Sequence, residues 1–149
     1  MITSIIFSKN RPLQLDLCLK SIKKNFKQST NNIVICNNDE EFDDAYYILK
    51  NEHSDVMFWN QSDSLFHDIN TLVSRAFNDY VCFFVDDCIC FNEVQLPQNM
   101  FNTEICCVSL RLGENITERR HDNIAYPDVP SNYVTDSTRK YMFWNKTAH

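Results

Sequence analysis

Residues 80–87 read Tyr-Val-Cys-Phe-Phe-Val-Asp-Asp. The apolar run Tyr80–Val85 reads as a buried β-strand, and it runs straight into two carboxylates. Adjacent carboxylates at the end of a central buried strand repel each other and are costly to hold charged there. A divalent cation relieves that cost. Oxygen ligands of this kind suit Mg²⁺ or Mn²⁺, which would also take diphosphate oxygens. The alternative reading is a helix cap followed by a solvated turn acid.

The upstream sequence gives this strand its place. Thr3-Ser-Ile-Ile-Phe7 reads as a first strand, apolar on both faces as a buried parallel strand should be. Ser8-Lys-Asn-Arg-Pro12 follows, and Pro12 suits the first turn of a helix. Leu15, Cys18, Ile22 and Phe26 then recur at helical spacing, with Lys20, Lys23, Lys24 and Lys27 towards the C-terminal end.

Ile33-Val-Ile-Cys36 reads as a second strand ending in Asn37-Asn38-Asp39, where Asp39 can cap the next helix. That helix opens on Glu40, Glu41, Asp43 and Asp44, turns Phe42, Tyr46 and Leu49 inward, and closes near Lys50. Val56-Met-Phe-Trp59 reads as a third strand. A third helix, from about Ser64 to Phe77, carries Leu65, Ile69, Leu72, Val73 and Ala76 on one side.

Strand and helix alternate with short connections. The pattern predicts an α/β fold with a mostly parallel sheet and right-handed crossovers. Ligands of such sheets sit at the carboxyl ends of the strands. The polar groups fall there: Ser8 to Arg11, Asn37 to Asp39, Asn60 to Ser62, and Asp86-Asp87. Position also separates rival chemistries. Receiver domains carry paired acids after the first strand. Aspartyl-phosphate hydrolases need a second acid two residues past the nucleophile, where this chain has Cys88.

Beyond Asp87 the pattern changes. Residues 92–101 read as a short helix interrupted by Pro97. Ile105 to Leu112 reads as a fifth strand ending at Gly113. Residues 114–140 read as a loop or arm, and Tyr141 to Trp144 as an apolar patch.

Composition bounds the function further. Gly113 is the single glycine in 149 residues, so neither a Walker A loop nor a Rossmann dinucleotide fingerprint can form. Fourteen basic against 20 acidic residues, net −6, argue against a nucleic-acid partner but not against a small phosphorylated ligand held by one or two local cations. The 7 cysteines, odd in number and mostly inside apolar runs, read as buried free thiols of a reducing cytoplasm. Cys88-Ile-Cys90 and Cys106-Cys107 lack the two-residue gap of zinc knuckles. No apolar run reaches the roughly 18 residues of a membrane span, so the expectation is a soluble cytoplasmic protein without a signal peptide.

The chain resembles a GT-A glycosyltransferase of the family 2 kind, closest to small members found in bacteriophages. Ser4-Ile-Ile-Phe-Ser-Lys-Asn-Arg-Pro12, Asn37-Asn38-Asp39 and Phe83-Phe-Val-Asp-Asp87 carry the resemblance, the last looking like the family's acidic DXD motif. The likeness covers about residues 2–113. It implies a Rossmann-like three-layer sandwich and one domain over residues 1–149, with a nucleotide-binding half (1–91) and a short acceptor-side half (92–149). It also implies metal-dependent transfer of a sugar from a nucleotide sugar, a UDP-sugar by the family pattern, to an unknown acceptor.

By position, the resemblance assigns the Ser8 to Arg11 loop, with Ser8, Lys9 and Arg11, to the nucleotide base and ribose, and Asn37 stands beside it. It makes Asp39 the acceptor of a hydrogen bond from uracil. It gives Asp86 and Asp87 the ribose and a Mn²⁺ or Mg²⁺ ion, with Asp87 the favoured metal ligand. Cys88 stands where relatives often have a third acid. Relatives supply the proton-accepting carboxylate after the fifth strand, where Glu114, Glu118, Asp122, Asp128 and Asp136 are equal candidates.

Plainer readings stand beside these. Arg11 and Lys9 can be solvated loop cations, and Asp39 only a cap. His67, at the start of the third helix, can contact a diphosphate or form a surface pair with Asp68. Trp59 and Trp144 fit packing as well as sugar stacking. A homodimer can complete the site by burying the aromatic tail. The rival function is a nucleotide-sugar-binding or interaction module without catalysis. A nucleotidyltransferase would want a basic phosphate-binding loop that the sequence lacks.

Overall fold

Ile5 and Ile6 are neighbours in sequence, point to opposite faces of one strand, and are both fully buried. A strand buried on both faces must be central, and the computed structural model places it so. The structure describes residues 1–76 and 80–96, together with the backbone of residues 134–135 and 142–143.

The elements run β1 (Ile2–Ser8), α1 (Pro12–Asn25), β2 (Ser29–Cys36), a 3₁₀ turn (Glu40–Phe42), α2 (Asp43–Glu52), β3 (Met57–Asn60), α3 (Leu65–Ser74) and β4 (Tyr80–Val85). The strands form one all-parallel sheet in the order β3-β2-β1-β4. The expected α/β class with a parallel sheet is therefore what the chain forms. Of the two compact units, Met1–Phe101 holds this sheet. The other, Asn102–His149, contains β5 (Val134–Thr135) paired antiparallel with β6 (Met142–Phe143), within stretches read from sequence as an arm and an apolar patch.

Each face of the sheet has its own core. On one, Leu15, Cys18, Leu19 and Ile22 of α1 and Tyr46 and Leu49 of α2 close over Ile2, Ile6, Val34 and Phe84. On the other, Leu72 of α3 closes over Ile5, Ile33 and Ile35, with Ile69, Phe7, Trp59 and Val81 packed around it. Three layers result, and Trp59 is a packing residue of the second core.

Several local expectations are corrected. Among the described residues β4, read as a central buried strand, is the edge strand beside β1, with Tyr80, Phe83 and Val85 exposed and only Phe84 buried. The third helix is shorter than residues 64–77, and only Ile69 and Leu72 of its apolar set pack on the second core; Leu65 and Val73 are exposed. Among the described residues α3 alone covers this face, so its flanking positions meet no second helix. The second strand starts at Ser29, earlier than expected, because β1 pairs with its polar beginning: Thr3 lies opposite Asn31 and Ser4 opposite Asn32.

Residues 92–96 are not helical. They follow α1 towards its C-terminal end. The Val94 N–H donates to the Asn25 carbonyl at 2.7 Å, the Leu96 N–H to Gln28 Oε1 at 2.7 Å, and Gln28 Nε2 to the Leu96 carbonyl at 2.8 Å. The expected fifth strand at 105–112 and Gly113 lie outside the described residues. No helix among the described residues is long and apolar enough to cross a membrane.

The strand order fixes where a ligand can sit. The chain moves outward from β1 to β2 and β3, then crosses back to place β4 on the other side of β1. The strand order therefore reverses between β1 and β4, and a crevice opens beyond their carboxyl ends. The register sets Phe7 beside Val85, so Ser8 and Asp86 emerge together at its floor.

Candidate functional site

Ser8 is the pivot of the crevice. Its carbonyl accepts the Asn37 N–H at 2.9 Å, and the Phe7 carbonyl accepts the Asp86 N–H at 3.0 Å, so the loops after β1, β2 and β4 are stitched together. The Ser8 hydroxyl donates to Asp86 Oδ2 at 3.0 Å, and the Lys9 N–H donates to the same oxygen at 3.3 Å. Asp86 is buried. A buried carboxylate loses hydration, and these donors replace it.

Asp87 differs sharply, with a side chain 57% exposed against 7% for Asp86. Arg11 Nη1 lies 3.6 Å from Asp86 Oδ1 and 3.5 Å from Asp87 Oδ2. The acidic pair thus divides into an inward carboxylate committed to the protein and an outward one met by an exposed guanidinium.

Asn10, which the sequence offers only as part of the Ser8 to Arg11 loop, orders the neighbouring loop. Its φ is 55°, the left-handed region that asparagine tolerates better than other side chains. There its Nδ2 donates to Asp39 Oδ2 at 2.6 Å, while the Asp39 N–H donates to Asn10 Oδ1 at 2.8 Å. Asp39 precedes the 3₁₀ turn and makes no side-chain cap. Its carboxylate faces the β1 loop instead. An asparagine in a Lys-Asn-Arg-Pro turn was the available signal.

A cavity of about 430 Å³ opens between these groups, lined by Ser8, Lys9, Arg11, Asn37, Gln61, Asp86 and Asp87, with Leu65 at its side. A groove of about 570 Å³ adjoins it at the ends of β2 and β3. Asn37 and Gln61 belong to both, and Asn38, Asp44, Tyr47 and Lys50 line the groove. Gln61 was not singled out in the sequence; its N–H donates to the Cys36 carbonyl at 2.8 Å, which fixes it at the strand end.

Ser8, Lys9, Arg11, Asn37, Asp86 and Asp87 are thus brought together, and Asp39 stands at the neighbouring loop through Asn10. His67 lines neither cavity. Its N–H donates to the Ser64 hydroxyl at 3.3 Å, which caps α3. Its neighbour Asp68 forms no surface pair. It is buried, and the Ser62 N–H donating to it at 2.7 Å holds its carboxyl below the usual range.

Asp16, Glu52 and His53 also bring possible ligand atoms within 4.8 Å of one another. Asp16 there already takes Lys20 Nζ at 2.7 Å and His53 Nε2 at 2.9 Å. The group reads as a strut between α1 and α2. Five free thiols are described, and burial pushes Cys18 up to about 12 and Cys36 to about 11, as inert core thiols should be. The candidate bases from Glu114 to Asp136 and the aromatic Trp144 lie outside the described residues.

Fold and crevice together define an α/β protein with a polar, acid-paired pocket at the switch point of a parallel sheet. The chain is 26% identical over 159 residues to the bifunctional glycosyltransferase pgtA of Dictyostelium discoideum, an alignment that takes in 95% of this chain and 20% of that protein. It therefore spans about a fifth of the length of the curated relative it matches. No family model matches the chain, and no solved structure does.

Proposed function

We propose that this chain transfers a sugar from a nucleoside-diphosphate donor, in the manner of GT-A glycosyltransferases, with the donor diphosphate seated at the β1–β4 crevice. One observation carries the reading: Asp86 and Asp87 stand side by side at the switch point, one buried and internally bonded, the other exposed to the cavity and accompanied by Arg11. The similarity to a glycosyltransferase over nearly the whole chain supports it.

The residues fit a hard divalent cation. Mg²⁺ and Mn²⁺ sites of this class use one or two carboxylates and complete their shell with substrate phosphates and water. Asp87 would hold the ion, since the Ser8 hydroxyl and Lys9 N–H already occupy Oδ2 of Asp86. When bound, such an ion neutralises charge growing on the departing diphosphate. Arg11 offers a second positive group at the same place. Asp39, oriented by Asn10, would accept the uracil ring N–H, and Asn37 and Gln61 lead from the cavity into the adjoining groove.

In the reaction, an acceptor hydroxyl attacks the anomeric carbon and the bond to the diphosphate oxygen breaks. The nucleoside diphosphate leaves with the electron pair, and a carboxylate takes the hydroxyl proton. The test is calorimetric titration of UDP with Mn²⁺, followed by UDP release from UDP-sugars. Release that Asp87→Ala abolishes supports the enzyme. Binding without release assigns a donor-binding module. Failure of every nucleoside diphosphate to shift the melting temperature overturns the reading.

A further inference from the structure

We propose that Tyr46 of α2 is a positioning residue for the donor site, acting through Ser8 on Asp86 and through the Arg11 amide on the β1 loop; this rests on the functional reading above. Tyr46 borders the groove at the ends of β2 and β3 but is 1% exposed, its ring belonging to the core beneath the sheet, so it acts on the site through the groups its hydroxyl holds. Its hydroxyl reaches out of that core. It lies 2.6 Å from Ser8 Oγ, and the Arg11 N–H donates to it at 3.4 Å.

The direction of the chain follows from counting hydrogens. A hydroxyl has one to give. Ser8 gives its hydrogen to the Asp86 carboxylate, which can only accept while ionised. Ser8 must therefore receive from Tyr46, and Tyr46 in turn receives from Arg11. A single directed series runs from the Arg11 amide through two hydroxyls to Asp86. Donors aligned this way polarise one another towards the charge at the end. Burial raises the Tyr46 pKa, which keeps the phenol protonated as the series requires.

Core packing does not explain the hydroxyl. Phenylalanine would fill the same space, and burying an oxygen costs free energy unless it is bonded. What the oxygen adds is a fixed distance between the helix and both working parts of the crevice: the carboxylate of Asp86 and the backbone that carries the Arg11 guanidinium.

The test compares Tyr46→Phe, Ser8→Ala and the double variant for affinity towards UDP in saturating Mn²⁺, with thermal melting and circular dichroism as controls of folding. Each single variant should bind UDP about tenfold more weakly while keeping the native spectrum, as the loss of one buried hydrogen bond implies. The double variant should bind about as weakly as the worse single, because both changes cut the same series. A purely structural tyrosine would lower the melting temperature and leave UDP affinity untouched; that outcome, or losses that multiply, overturns the proposal. Ser8→Ala gives the same reading from the other end should Tyr46→Phe fold poorly. If the wild-type chain itself binds no nucleoside diphosphate, the functional reading falls and the positioning role with it, a result distinct from normal UDP binding by Tyr46→Phe.

Discussion

The Arg11 guanidinium lies 3.5 Å from Asp87 Oδ2 and 3.6 Å from Asp86 Oδ1, so one exposed cation answers both carboxylates of the crevice. A divalent ion on Asp87 would compete with it for the same charge, whereas a diphosphate would attract it. Arg11→Gln should therefore act in opposite directions on two ligands. Mn²⁺ alone, followed by its paramagnetic resonance signal, should bind about two- to threefold tighter, since exposed pairs of this kind are worth under about 1 kcal/mol. UDP in saturating Mn²⁺ should bind more weakly, and raising the salt concentration should shrink both effects. Weaker binding of both ligands would show that Arg11 orders the loop and does not compete.

Asn10 offers a sharper separation of backbone from side chain. Its left-handed φ suits glycine, while its amide makes both bonds to Asp39. Asn10→Gly should keep the turn and lose the bonds. Asn10→Ala should lose both, with an added cost of about 1 kcal/mol for the left-handed backbone. The alanine variant should melt lower than the glycine variant, yet the two should show a similar fall in UDP affinity. Equal melting temperatures would mean that the loop relaxes out of the left-handed region.

The contrast between Asn10 and Asp86 also shows what the sequence could reveal. Asp86 and Asp87 were legible because two charges after an apolar run break a pattern, and a broken pattern needs a reason. The sheet was legible for a similar cause: strands such as β1, buried on both faces, must alternate with helices that cover them, whereas the apolar run of β4 read as buried and is half exposed at the sheet edge. Asn10 and Gln61 broke no pattern, being polar residues where polar residues belong. Tyr46 was read correctly as an inward residue of the second helix, but helical spacing locates a ring and says nothing of what its hydroxyl meets. The exposed Leu65 and Val73 erred the other way, because periodicity marks an apolar face without showing how much of it a neighbour covers.

Asp68 predicts an acid-sensitive loop. The Ser62 N–H holds its carboxyl below the ordinary value of 3.8. A depressed folded-state pKa adds stability that is fully present above the unfolded value and is lost as the pH falls through the folded one. Asp16, where bonds from Lys20 and His53 outweigh the upward effect of burial, should contribute with the same sign. Melting measured from pH 7 down to pH 2 should hold steady at the upper end and decline below about pH 4. Asp68→Asn should melt lower at pH 7 and decline less steeply in acid. A parallel decline in that variant would remove Asp68 from the account.

Cys18 lies under the end of β4, its thiol 3.8 Å from the Val85 carbonyl, and burial pushes it up to about 12. Cys36 closes β2, buried likewise and pushed to about 11. A thiol reacts as its thiolate, so neither should alkylate in the folded chain at pH 8. Among the described residues Cys82, Cys88 and Cys90 are partly exposed, and reagent should reach them before the two core thiols. Mass mapping after a brief iodoacetamide pulse should find Cys18 and Cys36 unmodified, and denaturant should expose them together, because both belong to the one core that α1 and α2 close. Modification of Cys18 in the native chain would mean that the end of β4, and with it the floor of the crevice, opens on its own.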